Sequence, residues 1–139
     1  MNVAIDLTLA LRYKPRGRYE MKEISESEKE RLLENLEDEL NGAALYDAIA
    51  DAEKDPKLSE VYRRLASVER KHAETWRYRL ERAGVPTPKF RPSWRTRTLG
   101  WIAKRFGVGS VLPSVQSLER ADSHKYAQQP DAAELDAEE

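Results

Sequence analysis

The sequence predicts an all-α fold, a long antiparallel helix hairpin with shorter helices against it. Two long stretches place apolar residues at steps of three and four, the period of a helix with one buried face. Asp55-Pro56 supplies a single tight break between them. With 40% hydrophobic and 35% charged residues, and only 6 glycines and 7 prolines in 139 residues, the composition favours a helix-rich soluble domain over a disordered chain.

The first helix is expected from about Ser27 to Ala52. Ser25 and Glu28 form a Ser-x-x-Glu capping pattern, with Ser27 and Glu30 as an equal alternative. The second is expected from Pro56 to Ala83. Proline suits a first helical position, where its missing N–H has no partner to lose, and Gly84 fits the position that ends many helices. Pro86, Pro88 and Pro92 make residues 84–93 an extended connection. A third helix is expected over Trp94–Phe106, broken by Gly107 and Gly109, and a fourth from about Pro113 to Gln128. Pro130 then restarts a helix into an acidic tail. Residues 1–24 read as an N-terminal extension and 25–139 as one domain.

The bulk numbers exclude several functions. A net charge of −1 provides no basic field for nucleic acid. The absence of cysteine excludes disulfides, thiolate zinc sites, iron–sulfur clusters and thiol catalysis. Any metal is therefore held by oxygen and imidazole, which suits iron, manganese or zinc. No stretch reaches the roughly 18 apolar residues of a membrane span. The apolar run from Val3 to Leu11 lacks the basic leader of a signal peptide.

The chemistry lies on the inner faces. In the first helix one line is Leu32, Leu36, Glu39, Ala43, Tyr46 and Ala50, with a carboxylate in the middle of an apolar stripe. In the second it is Leu58, Tyr62, Leu65, Glu69, His72, Trp76 and Leu80. Burying a bare carboxylate costs several kcal/mol unless it is paired or coordinated. Both helices make that choice at similar distances from the turn. At a rise of roughly 1.5 Å per residue the two levels differ by only a few Å, so Glu39, Glu69 and His72 can meet. Glu69 and His72 form a Glu-x-x-His motif, weak alone and stronger with a glutamate across one turn.

The second half hints at a repeat. Glu39 precedes Tyr46 and Pro56, as Glu119 precedes Tyr126 and Pro130; Glu139 then matches Glu69. Glu119 sits on the line Leu112, Val115, Glu119, Asp122, Tyr126. Plainer readings stand beside these. Glu69 and His72 also fit a solvated pair on a helix edge, and Glu39 also fits a cap or an arginine partner. Tyr46, Tyr62 and Trp76 read as core packing and His124 as exposed. The basic third helix reads as a solvated face or as one lying on anionic lipid.

The runs Glu37-Asp38-Glu39-Leu40-Asn41-Gly42-Ala43-Ala44-Leu45-Tyr46 and Val61-Tyr62-Arg63-Arg64-Leu65 through Glu69-Arg70-Lys71-His72-Ala73 resemble rubrerythrin-type ferritin-like domains. Together with Pro92-Ser93-Trp94-Arg95 and Val111-Leu112-Pro113, they look most like the ferritin-like domain of vacuolar iron transporter-like membrane proteins, the membrane-bound ferritins. The resemblance covers roughly residues 30–139. It implies a ferritin-like bundle binding iron in a di-iron centre on the cytoplasmic side of a membrane, beside a transporter domain that this chain does not contain. Glu39, Glu69, His72, Glu119 and Glu139 would be the ligands, with O2 as oxidant. The sequence departs from the family at Glu139, where the second Glu-x-x-His lacks its histidine. The expectation is a truncated chain, a natural fragment, or a site completed across a homodimer or larger homo-oligomer. Two other readings compete: a metal-free helical interaction module, and a mononuclear zinc or manganese site.

Overall fold

Ser25 starts the first helix: its hydroxyl accepts the Glu28 N–H at 3.1 Å, satisfying a donor that the helix itself leaves open. The computed structural model describes residues 23–129, and helix α1 spans Glu26–Ala52. The turn that follows is built from carboxylates. Glu53 accepts the N–H groups of Lys54 and Asp55, and Asp55 caps α2 (Pro56–Arg82) by accepting from Lys57 at 2.8 Å and Leu58 at 3.4 Å. Pro56 takes the first helical position.

The end of α2 shows why Gly84 stands there. Gly84 has φ +69°, which side chains rarely tolerate. Its N–H reaches the Glu81 carbonyl at 3.0 Å and the Val85 N–H reaches Leu80 at 2.9 Å, the paired bonds of a Schellman stop. Val85 then packs on the cluster that contains Leu80. Helix α3 covers Trp94–Phe106, capped by the Ser93 hydroxyl and ended at Gly107, φ +94°. A short 3-10 turn at Val108–Ser110 leads into α4 (Leu112–Ala127). All described secondary structure is helical. Among the described residues no helix is long and apolar enough to cross a membrane. The expected helix after Pro130, Glu139 and nearly all of the N-terminal extension lie outside the described residues.

Helices α1 and α2 form the expected hairpin, and all six residues of the α1 line are buried. The α2 line is half corrected. Trp76 and Leu80 are fully buried, but Leu58 and Leu65 are 47% and 38% exposed, and the buried positions are instead Ala66 and Ala73. The small alanines let the two backbones approach, and α3 packs on α1, leaving the outer flank of α2's first half uncovered.

Two apolar clusters result. One joins Leu45, Ile49 and Ala66 to Ala103, Val111 and Val115 near the hairpin turn; the other joins Leu32, Leu36, Ala73, Trp76 and Leu80 at the open end. Helix α4 runs antiparallel to α1 and reaches it through long side chains: Glu119 bonds Tyr46, Lys125 bonds Asp38, and Gln129 bonds the buried Asn35 at 2.7 Å. Asn41 holds the start of α3, accepting from Ser93 N–H at 2.8 Å and the Thr96 hydroxyl at 2.9 Å.

Candidate metal centre

Glu39 lies between the two apolar clusters and is only 4% exposed. From α2, Glu69 and His72 meet it at the same height, and one ligand atom from each of the three lies within 4.8 Å of the others. His72 Nδ1 is 3.6 Å from Glu39 Oε2. Donors on a common first-row ion at about 2.1 Å sit at most about 4.2 Å apart, so small rotations of the glutamate side chains bring all three into range.

The other Glu39 oxygen is held from behind. The Tyr126 hydroxyl donates to Oε1 at 2.7 Å, and the Trp76 indole N–H approaches it at 3.5 Å. The Trp76 and Tyr126 rings stack at 6.1 Å between centroids, 7° from parallel, so these two donors support one another. This cradle fixes Glu39 much as outer hydrogen bonds orient ligands in metal sites.

Protons divide the carboxylates. Burial drives Glu69 up to about 10, reinforced by its hydrogen bond to Glu39 and by the charges of Glu39, Glu119 and Asp122; it therefore carries a proton and donates it to Glu39. Burial also acts to raise Glu39, but hydrogen bonds from His72, Glu69 and Tyr126 outweigh it and hold Glu39 ionised. Asp122, pushed up to about 6 by burial and by Asp38 and Glu119, adds to a local excess of negative charge. When the Glu69 proton leaves, two carboxylates and a neutral imidazole carry −2, the balance of one divalent ion.

Glu119 stands beside this trio. Its Oε1 accepts the Tyr46 hydroxyl at 2.6 Å, and its charge is felt by Glu69. The two Glu–Tyr pairs suspected of repeating are thus cross-linked: Tyr46 donates to Glu119, and Tyr126 donates to Glu39. Burial and the Glu119 carboxylate raise the Tyr46 hydroxyl strongly, and burial and Glu39 do the same for Tyr126, so both remain donors. Glu139 lies outside the described residues. Tyr46, Tyr62 and Trp76 pack in or against the core, with Tyr46 and Tyr62 stacked at 6.4 Å, and His124 is exposed.

Two contributors escaped the sequence reading. Tyr126 appeared on an α4 line and as the repeat counterpart of Tyr46, but not as a partner of Glu39. Gly42 passed unremarked, although a glycine inside a long helix costs about 1 kcal/mol and so asks for a reason. A Cβ there would lie 3.3 Å from both Cδ and Oε2 of Glu69. Gly42 also lines a cleft of about 300 Å³ between α1, the start of α3 and α4, with Asp38, Tyr46, Glu119 and Asp122 on its walls. The glycine thus leaves room for the Glu69 carboxyl against α1.

No protein-family model, no curated protein and no solved structure matches the chain.

Proposed function

We propose that the chain binds non-haem iron, with Glu39, Glu69 and His72 as ligands, in a helical bundle of the ferritin-like kind. The observation that carries this reading is the convergence of three metal-binding side chains, one ligand atom each within 4.8 Å, midway along the hairpin. Hard carboxylates with one imidazole suit iron, manganese or zinc, and the resemblance to rubrerythrin-type domains selects iron. Ferritin-like di-iron centres use two glutamates and two Glu-x-x-His pairs, so a second ion needs further ligands. Glu119, linked to Tyr46 as Glu39 is to Tyr126, supports one such addition, with Glu139 as its partner in the sequence repeat. A second copy of the chain is the other source. The exposed stripe Leu58, Val61 and Leu65 is an apolar face that a homodimer would cover.

Iron in such a centre supplies single electrons to O2, and the protein's share is to bind Fe(II), balance its charge and exclude competing ligands. Storage, detoxification or delivery to an exporter at a membrane's cytoplasmic face is the role that the resemblance implies for that property. A metal-free interaction module is the second reading. It is favoured by one observation: among the described residues no buried side-chain polar atom lacks a hydrogen-bond partner, so the trio is satisfied without an ion.

Glu69→Ala separates the two readings. Binding of Mn(II) or Co(II) by the parent chain, lost in the variant while helicity stays, supports the metal centre. Absence of binding in the parent, with the variant altering only self-association, refutes it and leaves the module.

A further inference from the structure

Charge is distributed unevenly along this chain. Between Glu81 and Glu119 there is no acidic residue but seven arginines and lysines, whereas the rest of the chain carries −8 against an overall −1. Helix α3 lies inside that basic stretch. Its inner face is seated firmly: Thr96 bonds Asn41, Ala103 is 1% exposed, and the Gly100 backbone comes so close to α1 that a Cβ would lie 3.0 Å from Ala48.

Its outer face is unusual. Trp94 is 70% exposed, Trp101 61% and Phe106 63%, three of the seven large hydrophobic residues exposed among the described ones. Trp94 and Trp101, two turns apart, flank Arg97 and Thr98 along one groove, and Trp101 meets Phe106 edge-to-face at 5.9 Å. The Arg105 guanidinium lies 5.3 Å over the Phe106 ring. Aromatic rings interleaved with cations, on a helix lying flat on its own domain, match the headgroup layer of a bilayer. There indoles rest at the water boundary and guanidinium groups meet phosphate. A second copy of α3 is a poor occupant, because face-to-face pairing sets cation against cation with no acid on the helix to offset them.

We propose that the outer face of α3 docks on an anionic lipid surface, with Trp94, Trp101 and Phe106 in the headgroup layer and the Arg97, Lys104 and Arg105 side chains on lipid phosphates. The docking is independent of the metal reading. Each cation near an anionic surface strengthens binding about fivefold, so the attachment is reversible and falls steeply with salt.

The test is flotation of the full chain, purified without metal, with phosphatidylserine–phosphatidylcholine vesicles and with pure phosphatidylcholine vesicles. Flotation with the anionic vesicles only is expected, with a blue shift of tryptophan emission; Trp76, fully buried, does not contribute to it. Arg97→Gln with Arg105→Gln lowers the partition about twenty-five-fold, and Trp94→Ser with Trp101→Ser removes it while helicity is kept. Three results overturn the proposal: no flotation with anionic vesicles at low salt, flotation unchanged by the tryptophan pair, or binding of single-stranded RNA without binding of vesicles.

Discussion

In the metal-free protein the proton shared by Glu69 and Glu39 makes stability fall as pH rises, and the size of the effect follows from the site. The folded Glu69 carboxyl is pushed up to about 10 from an ordinary 4.5. Above 4.5 the unfolded chain has lost this proton while the folded chain keeps it, so the folded state binds more protons and stability declines with pH until about 10. One proton gives a slope of at most about 1.4 kcal/mol per pH unit, or about 3 kcal/mol between pH 7 and 9. Three neighbouring groups titrate outside that window. Glu39, held low, adds stability that is lost only in acid; Asp122, at about 6, acts below the window; and Lys125 is raised further above it. Urea unfolding of chelator-treated protein at several pH values measures the slope, and Glu69→Gln, which keeps a donor to Glu39 but cannot ionise, flattens it. A metal ion reverses the dependence. Binding must expel the proton, so affinity for Co(II) rises about tenfold per pH unit over the same range. Stability that is level or rising with pH in the metal-free parent, or an equal slope in Glu69→Gln, refutes the assignment of the proton to Glu69.

Gly42→Ala separates fold from site. Alanine in a helix interior gains up to about 1 kcal/mol over glycine, while the new methyl presses on the Glu69 carboxyl; thermal unfolding shifts upward and metal affinity falls. Tyr126→Phe keeps the stack on Trp76 but takes a hydrogen bond from the Glu39 carboxylate. It costs about 1.5–3 kcal/mol in urea titrations and weakens metal binding without abolishing it.

Much of this was legible beforehand, and particular residues show why. The α1 stripe is complete because that helix is covered on both sides, by α2 and by α3, so its apolar period extends along its whole length. The bounds of α3 were plain because Pro92 sits just before it and Gly107 just after. Convergence of Glu39, Glu69 and His72 followed from rise per residue and one turn, both local quantities. The α2 line failed at Leu58 and Leu65 because periodicity reports which side of a helix is apolar and not whether anything covers it. The donors behind Glu39 were hidden for a related reason. Tyr126 is distant in sequence, and only the antiparallel run of α4 along α1 brings its hydroxyl to that carboxylate.

The most direct test of the iron centre is an anaerobic Fe(II) titration of the metal-free chain, followed by air, with absorbance and mass recorded. Saturation lost in Glu39→Ala and Glu69→Ala is expected, with a ferric absorbance band after air; two irons per site would establish the di-iron form, and a dimer mass would show that the site is shared. Fe(II) uptake no greater than that of the two variants would contradict the iron centre, and the trio would then be a hydrogen-bonded core of a helical scaffold.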